Sequence, residues 1–318
     1  MTTTRTAAML LVLLLTAAPV AIAQAPPAVR IRIDPTSTLE SRVGPTDPSV
    51  LKMFADAGMP TPIAHTLTDV ERQALARAFA VLPPVHQRVL RERLRRLSFL
   101  DGMPNTALTS TVDTEAGTPA FDLTIRAGVL RETVSEFLTT KERTCFDFSG
   151  SDRTVAVEAG TLDAIVYVLL HEATHMVDGA MGLTPREAAP RASEGALLTT
   201  GVWTDRLTIA GPYANPLLDG LAYRRGGRPV AASDAHEVYA ALRRTPFASL
   251  YGSSNWHDDV AELVAWHHLT SRLKQPYRIL VRERGHDVLV YEPMASPLVQ
   301  RRLRLLPSMY DAPQGHGN

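Results

Sequence analysis

The middle of the chain reads Leu162-Asp163-Ala164-Ile165-Val166-Tyr167-Val168-Leu169-Leu170, followed at once by His171-Glu172-Ala173-Thr174-His175. The first nine residues are apolar nearly all round a helix, which is the pattern of a helix buried on every side. Thr161 is the predicted N-cap, with Asp163 in the first turn. Gly179 and Gly182 are candidate helix ends. The sequence therefore predicts a buried helix that carries residues 171–175 into the protein.

The two histidines of this segment are spaced to bind one metal ion. On a helix, residues i and i+4 have side-chain roots about 5–6 Å apart, so His171 and His175 can both reach a zinc ion (Zn2+) at about 2.0–2.1 Å. Glu172 is rotated away from that line, toward the open coordination position. There it can take a proton from a zinc-bound water whose pKa is about 7. The pattern predicts a zinc site with a general base.

A catalytic zinc site needs a third protein ligand. Residues 176–181 contain no histidine, which excludes an extended three-histidine motif. Further along, Asp258 and Glu262 are again four residues apart on a predicted apolar helix, and either can bind the ion while the other orients a ligand histidine. Glu194 is another candidate, but no carboxylate follows it at the helical interval.

Together these residues resemble a known family. The matching pattern is His171-Glu172-x-x-His175-x-x-Asp178, then Tyr251-Gly252-x-x-Asn255-x-x-Asp258-x-x-Ala261-Glu262. It is similar to the catalytic domain of anthrax toxin lethal factor and to related bacterial zinc metallopeptidases of the gluzincin type, which share the HExxH motif. The resemblance covers the segments 162–182 and 249–268.

The resemblance implies a zincin-like fold and hydrolysis of peptide bonds. It makes Asp258 the third ligand, Glu262 the carboxylate that supports a ligand histidine, and Tyr251 the hydroxyl that assists the reacting carbonyl. The chain differs from the family in carrying Asp where the ligand is Glu, and in a longer insertion between the two motifs. Since Asp is one methylene shorter, its helix must approach the metal more closely, or else Glu262 is itself the ligand.

Composition and charge are those of an ordinary globular protein. Apolar residues make up 45% and charged residues 21% of the chain, which does not indicate disorder in the body. The 33 basic and 33 acidic residues cancel, so no global field favours nucleic acid or an anionic membrane. The single Cys145 excludes an internal disulfide. We expect a peptide or protein substrate as the partner, and no nucleic acid.

Residues 1–23 have the pattern of a signal peptide. Arg5 precedes an apolar run from Ala7 to Ile22, and small residues suited to cleavage lie at 21–23 or 23–25. The alternative is a permanent membrane anchor, but the run is short for a span and contains Pro19. The sequence predicts a secreted or periplasmic protein that has no stable membrane anchor after cleavage.

The rest of the chain predicts an α+β fold, mostly helical with a small mixed sheet and a C-terminal hairpin. We expect a flexible arm at 24–50, an N-terminal helical subdomain at 51–100, a catalytic domain at 101–310 and a loose tail at 311–318. Strands are predicted at 121–126 and 154–158, and the hairpin turns at Arg284-Gly285. In zincin-like enzymes an edge strand near the second of these positions binds the substrate backbone, so 154–158 is the expected substrate strand.

Two helices are predicted in the N-terminal subdomain. The first begins with a capping box at Thr68 and Glu71 and stops at a proline pair, and the second continues through Leu90, Leu94 and Leu97.

These features predict an exported zinc peptidase in which Glu172 activates water and Tyr251 hydrogen-bonds the oxyanion. One alternative is a non-catalytic envelope zinc-binding protein, in which a fourth ligand closes the coordination sphere. Another is an amidase that acts on cell-wall peptides.

Overall fold

The computed structural model describes residues 31–115, 117–186 and 197–306. The predicted signal peptide, the predicted tail at 311–318 and the candidate ligand Glu194 lie outside these residues. Helices and strands are mixed along the described chain, which confirms the expected combination of the two. No helix in the described ranges has both the length and the apolar character needed to cross a bilayer.

The elements are as follows. The helices are α1 (Pro48–Asp56), α2 (Asp69–Val81), α3 (Pro84–Arg93), α4 (Val134–Arg143), α5 (Ala164–Met181), α6 (Pro216–Asp219), α7 (Ala235–Arg243), α8 (Trp256–His267) and α9 (Pro297–Leu303). The strands are β1 (Ile63–Ala64), β2 (Leu94–Asp101), β3 (Ala107–Val112), β4 (Ala120–Arg126), β5 (Phe146–Asp147), β6 (Arg153–Glu158), β7 (Val230–Ala231), β8 (Arg278–Glu283) and β9 (His286–Tyr291).

The described strands form two sheets and one short pair. The first sheet has the order β1-β2-β4-β3, with β2 and β4 parallel and the other neighbours antiparallel. The second has the order β6-β8-β9 and is antiparallel; β8 and β9 are the predicted hairpin, which turns at Arg284 and Gly285 with φ angles of 50° and 83°. β5 and β7 pair in parallel. Both β3 and β6 are thus edge strands.

Helix α5 is buried, as its sequence predicts. Every residue from Ala164 to His171 is buried, and α2, α3, α4 and α8 pack around the helix. Burying one large aliphatic side chain contributes about 1.5–3 kcal/mol, so this apolar run fixes the helix in the core. The last turn closes at Gly182, which has a left-handed conformation with φ of 69°.

The start of α5 differs from the prediction. Thr161 is not the N-cap; Asp163 occupies that position, and its carboxylate binds Arg77 instead of capping the helix. The amide of Ala164 donates to the backbone oxygen of Glu132 at 2.8 Å. A neighbouring segment therefore provides the acceptor for the first amide of the helix.

Both N-terminal helices begin as predicted, and the first ends just before the proline pair, but the second ends earlier than predicted. Thr68 and Glu71 form the capping box that starts α2. The prediction that Leu94 and Leu97 continue the second helix is wrong, because α3 ends at Arg93 and both leucines are buried on β2. Pairing of β2 with β4 overrides the local helical pattern.

The boundary expected between residues 100 and 101 falls inside β2. Since β2 pairs with β4, and α2 and α3 contact α5, the described residues of the segments 51–100 and 101–310 share one hydrophobic core. Part of the predicted flexible arm is also attached to this core. The buried guanidinium of Arg42 donates hydrogen bonds to the backbone oxygens of Leu90 and Arg91.

Candidate metal centre and cleft

Three predicted ligand atoms converge between α5 and α8. Nε2 of His171 lies 3.2 Å from Nε2 of His175 and 3.4 Å from Oδ1 of Asp258, and Nε2 of His175 lies 3.3 Å from the same oxygen. Successive turns of α5 supply the imidazoles, and the first turn of α8 supplies the carboxylate. The side chain of His171 is 6% exposed and that of His175 is 28% exposed, so the cluster is more open on the His175 side.

These spacings fit a tetrahedral ion. Zinc binds nitrogen and oxygen ligands at about 2.0–2.2 Å, and a tetrahedron has an edge about 1.63 times its centre-to-corner distance, which gives about 3.3–3.6 Å between ligand atoms. The three separations in the cluster, 3.2, 3.3 and 3.4 Å, agree with that value. Two imidazoles and one carboxylate are also the ligand set of many catalytic zinc sites. The three residues can hold a divalent metal ion.

Glu262 lies on the far side of His171 and is fully enclosed by donors. Its Oε1 accepts hydrogen bonds from Nδ1 of His171 at 2.9 Å and from the hydroxyl of Tyr167. Its Oε2 accepts from Oγ of Ser249 at 2.6 Å and from Nε1 of Trp266 at 3.2 Å. Four donors compensate the desolvation of a carboxylate that is 1% exposed.

This network sets the tautomer of His171. An ionised carboxylate can only accept, so in the neutral imidazole the proton of His171 is on Nδ1, and the lone pair of Nε2 then faces Asp258 and His175. Of the two carboxylates that the sequence leaves open as third ligand, Asp258 is the one in the cluster. Glu262 is placed to orient the imidazole.

Local structure fixes Asp258 so that one of its oxygens is turned toward the two histidines. Asn255 is the N-cap of α8, and its Oδ1 accepts from the amides of His257 and Asp258. Oδ2 of Asp258 accepts from Nδ2 of Asn255 at 2.6 Å and from Oγ of Ser254 at 2.9 Å. The other oxygen, Oδ1, faces the two histidines. The shorter side chain of Asp therefore reaches the cluster from the very start of its helix.

The electrostatics of the cluster favour a bound cation. Burial by itself lowers the pKa of His171, but its hydrogen bonds to Asp258 and Glu262 outweigh burial and raise the pKa to about 9. Burial by itself raises the pKa of Glu262, yet His171 above all lowers it to about 2. The pKa of Asp258 is likewise held well below its usual range, against burial, by the two histidines. Carboxylates of this kind attract a proton or a metal ion to the imidazoles.

Asp178 connects the two helices of the cluster at a different point. Its Oδ2 accepts from Oγ1 of Thr184 at 2.7 Å and lies 2.9 Å from Nδ1 of His257, the residue before Asp258. Its Oδ1 accepts from the amide of Thr184. Asp178 therefore joins the end of α5 to the start of α8 through His257.

A cleft of about 450 Å³ opens beside the cluster. Its walls include residues 104–107 before and at the start of β3, together with Lys141, Tyr167, Val168, His171, Glu172, Tyr223 and Tyr251. The carboxylate of Glu172 is not one of the three converging ligands, and its Oε2 is 3.4 Å from Oγ1 of Thr109 on β3. Glu172 is thus a carboxylate on the cleft wall next to the candidate metal position.

The strand beside this cleft is β3, and the segment 154–158, which we expect to bind the substrate, is not among the residues that line the cleft. The segment 154–158 is the edge of the other sheet, where β6 pairs with β8. The amide of Arg126 donates to the backbone oxygen of Thr106 at 2.9 Å, which makes these two residues a hydrogen-bonded antiparallel pair. Because the pattern alternates, the backbone groups of Ala107, Thr109 and Thr111 face away from β4, toward the open edge.

Tyr251 lies on the cleft wall next to His171, with ring centroids 5.5 Å apart. Burial, followed by the negative charges of Asp258 and Glu172, raises the pKa of its hydroxyl, which therefore stays protonated and can donate. The ammonium of Lys141 lies 3.4 Å from the centroid of the Tyr251 ring.

No family model, curated protein or solved structure matches this chain. Function is therefore inferred from the geometry of the site.

Sequence reasoning missed several groups that shape the site. Tyr167 has a usable signal, since it precedes His171 by one helical turn in an otherwise apolar run. Ser249 and Lys141 have none, because they reach the site from a loop and from α4 through tertiary packing. The same holds for β3, whose polar residues do not mark it as the strand beside the cleft.

Proposed function

We propose that this protein is a zinc-dependent peptidase of zincin-like fold, which hydrolyses peptide bonds through a metal-activated water. The observation that carries the proposal is the convergence of His171, His175 and Asp258 beside a cleft that has Glu172 on its wall. Metal-assisted hydrolysis requires ligands of suitable type and spacing and a separate carboxylate that can act as a base. The cluster supplies the ligands, and Glu172 supplies the carboxylate.

Each residue has a definite task in this proposal. When bound, zinc supplies Lewis acidity to the scissile carbonyl and to the water that attacks it. Glu172 accepts a proton from that water and passes it to the departing amine nitrogen. Tyr251 donates a hydrogen bond to the carbonyl oxygen as negative charge develops on it. Glu262 holds the ring of His171 in the orientation that presents Nε2.

The open edge of β3 supplies a binding surface for an extended substrate. Outward-facing backbone groups at Ala107, which lines the cleft, and at Thr109, which contacts Glu172, can pair with a peptide laid antiparallel or parallel to the strand. A peptide bound at this edge therefore passes beside the general base. Backbone pairing is independent of side chains and suits unfolded or flexible segments of protein.

The alternative of a structural zinc site has less support. Structural zinc sites are closed by four protein ligands, whereas catalytic sites use three and leave one position for water. Among the described residues the cluster comprises three side chains, and an open cleft lies beside it.

The experiment that tests the proposal is a comparison of Glu172→Gln with the unchanged protein. We expect both to bind one zinc ion per chain, measured by native mass spectrometry, because Glu172 is not a ligand. Hydrolysis of a denatured protein substrate should fall by about 10²–10⁴-fold, the usual contribution of a general base. Glu92→Gln is the matched control, since Glu92 is an exposed carboxylate on α3. Equal hydrolysis by Glu172→Gln would remove Glu172 from the mechanism.

Export is a further part of the proposal and rests on residues 1–23. Expression of the full chain in a bacterium with a periplasm should yield a mature protein in the periplasmic fraction. Its first residue should be Gln24 or Pro26, depending on which small-residue site is cleaved. N-terminal sequencing that finds Met1 retained on a cytoplasmic protein would contradict export without bearing on the metal site.

A further inference from the structure

Lys141 is a cation in the cleft that the peptidase chemistry described above does not use. It lies on α4, and its side chain lines the same cleft as His171 and Glu172. The ammonium stands over the ring of Tyr251, 3.4 Å from the centroid, and 5.6 Å from the centroid of Tyr167. Two aromatic rings therefore position this charge beside the candidate metal centre.

The hydrogen-bonding capacity of this ammonium is largely unused by the described residues. An ammonium has three donors. Nζ of Lys141 makes one long hydrogen bond, 3.4 Å, to the hydroxyl of Tyr167. No carboxylate of the described chain lies within 4.0 Å of Nζ, although other lysines and arginines of the protein form such pairs, for example Lys52 with Asp56.

The chemistry of the surroundings indicates what the ammonium can receive. Glu262 lines a small cavity together with Lys141. Both oxygens of Glu262 nevertheless accept hydrogen bonds from other donors, among them His171. The wall near Lys141 also contains Asn105 and Thr106, whose side chains are polar. A cation with spare donors and polar neighbours suits an anionic group of a ligand.

We propose that Lys141 is a specificity-determining residue that binds a carboxylate of the peptide substrate close to the scissile bond. The inference rests on the proposed peptidase function and adds a substrate class to it. Two sources supply the same chemistry: the C-terminal carboxylate of a peptide, and the side chain of an Asp or Glu residue. In either case the carboxylate accepts hydrogen bonds from Nζ while Tyr251 keeps its place under the ammonium.

The test uses the zinc-loaded mature protein and two pairs of peptides that share one parent sequence. One pair differs only in a C-terminal acid or amide, and the other pair only in Glu or Gln beside the cleaved bond. We expect the protein to prefer the carboxylate member of one pair by about ten- to a hundredfold in kcat/KM, the effect of one charge-assisted hydrogen bond. The pair that shows the preference identifies the source of the carboxylate.

Variants assign the preference to Lys141. Lys141→Met should abolish the preference for the carboxylate peptide, chiefly by raising KM for that peptide. Lys141→Arg should retain most of the preference. Lys52→Met is the matched control, because the side chain of Lys52 is 72% exposed on α1. If Lys141→Met lowers kcat equally for all four peptides, Lys141 acts on Tyr251 or on the local charge balance, and the proposal is overturned. Equal kcat/KM for all peptides with the unchanged protein overturns it as well.

A binding measurement separates this inference from the peptidase proposal. The same four peptides are titrated calorimetrically into zinc-loaded Glu172→Gln, with and without Lys141→Met. A preference for the carboxylate peptide that depends on Lys141 supports the carboxylate subsite even if no peptide is hydrolysed by the unchanged protein. Absence of any preference in binding overturns the subsite even if hydrolysis is observed.

Discussion

Nδ1 of His171 donates a hydrogen bond of 2.9 Å to Oε1 of Glu262, on the side of the ring opposite to the converging ligand atoms. This single contact distinguishes Asp258 from Glu262, which the sequence alone leaves as equivalent candidates because they lie four residues apart on one helix. It also explains why α8 places an acidic residue on two successive turns: Asp258 faces the cluster and Glu262 supports it.

Substitutions at these two carboxylates should separate ligand from support. We expect Asp258→Ala to lose stoichiometric zinc, because it removes one of three ligand atoms. Glu262→Gln should keep the zinc but weaken its affinity by about 10–100-fold, the usual cost of changing a residue that orients a ligand histidine. Competition with a chromophoric chelator measures both. Loss of zinc in Glu262→Gln alone, with Asp258→Ala unaffected, would reverse the two roles.

Zinc binding should depend on pH through His171. Hydrogen bonds to Asp258 and Glu262 raise the pKa of His171 to about 9 against the effect of burial, so below that pH zinc must displace a proton. We expect the apparent affinity to rise about tenfold per pH unit from pH 7 and to level off near pH 9. The chelator competition, repeated across this range, checks the slope. An affinity independent of pH would show that His171 is already unprotonated in the metal-free protein.

The raised pKa of His171 also predicts how the stability of the metal-free protein depends on pH. The folded-state pKa of His171 is raised above its ordinary value of 6.5, so the associated stabilisation is fully present below pH 6.5 and is lost as pH rises through about 9. Thermal unfolding of chelator-treated protein should therefore occur at a lower Tm at pH 9 than at pH 6.5. The zinc-loaded protein is the control and should show a smaller change, because the ion replaces the proton.

The features that the sequence predicts well are local. The apolar run before His171 and the four-residue spacing of the histidines both follow from helical periodicity, and the capping box at Thr68 from a short-range hydrogen bond. The contact between Glu262 and His171 spans 91 residues. Helical periodicity indicates that Asp258 and Glu262 are both candidates, but it cannot tell which one binds the metal and which one supports His171.

Features that depend on tertiary packing were predicted less well. Leu94 and Leu97 follow a helical pattern, yet the buried parallel partner β4 makes them part of a strand. The segment 154–158 is an edge strand but does not line the cleft, because the sheet that lies beside the site is determined by tertiary packing, which sequence spacing does not contain. Lys141 lies 30 residues before His171 and meets the cleft only because α4 packs on α5.

A proline on the open edge of β3 should impair substrate binding. Ala107→Pro removes an amide that faces away from β4, so the sheet keeps its hydrogen bonds while a peptide laid along the edge loses one. We expect KM for a denatured protein substrate to rise by about tenfold, with kcat changed less. Thr111→Pro is the matched control, since its amide faces the same way but residue 111 does not line the cleft. Equal effects of the two prolines would point to general damage of the strand.

A buried ion pair lies next to the cluster. Arg302 on α9 donates two hydrogen bonds to Asp259, at 2.7 and 2.8 Å, and Trp203 donates a third at 2.7 Å. Asp259 is 0% exposed and directly follows Asp258, so the pair joins α9 to the first turn of α8. Burial raises the pKa of Asp259 above its ordinary value even though Arg302 opposes this.

Arg302→Met should leave this buried carboxylate without its cation and reduce the free energy of unfolding by about 3–5 kcal/mol. Replacing both partners, as in Arg302→Met with Asp259→Leu, should recover much of that loss, because no unpaired charge remains. Arg301→Met is the matched control and should change stability by less than about 0.5 kcal/mol, since Arg301 is exposed on the same helix. Urea unfolding of the zinc-loaded protein measures all three variants. A single variant Arg302→Met as stable as the control would show that α9 does not anchor α8 through this pair.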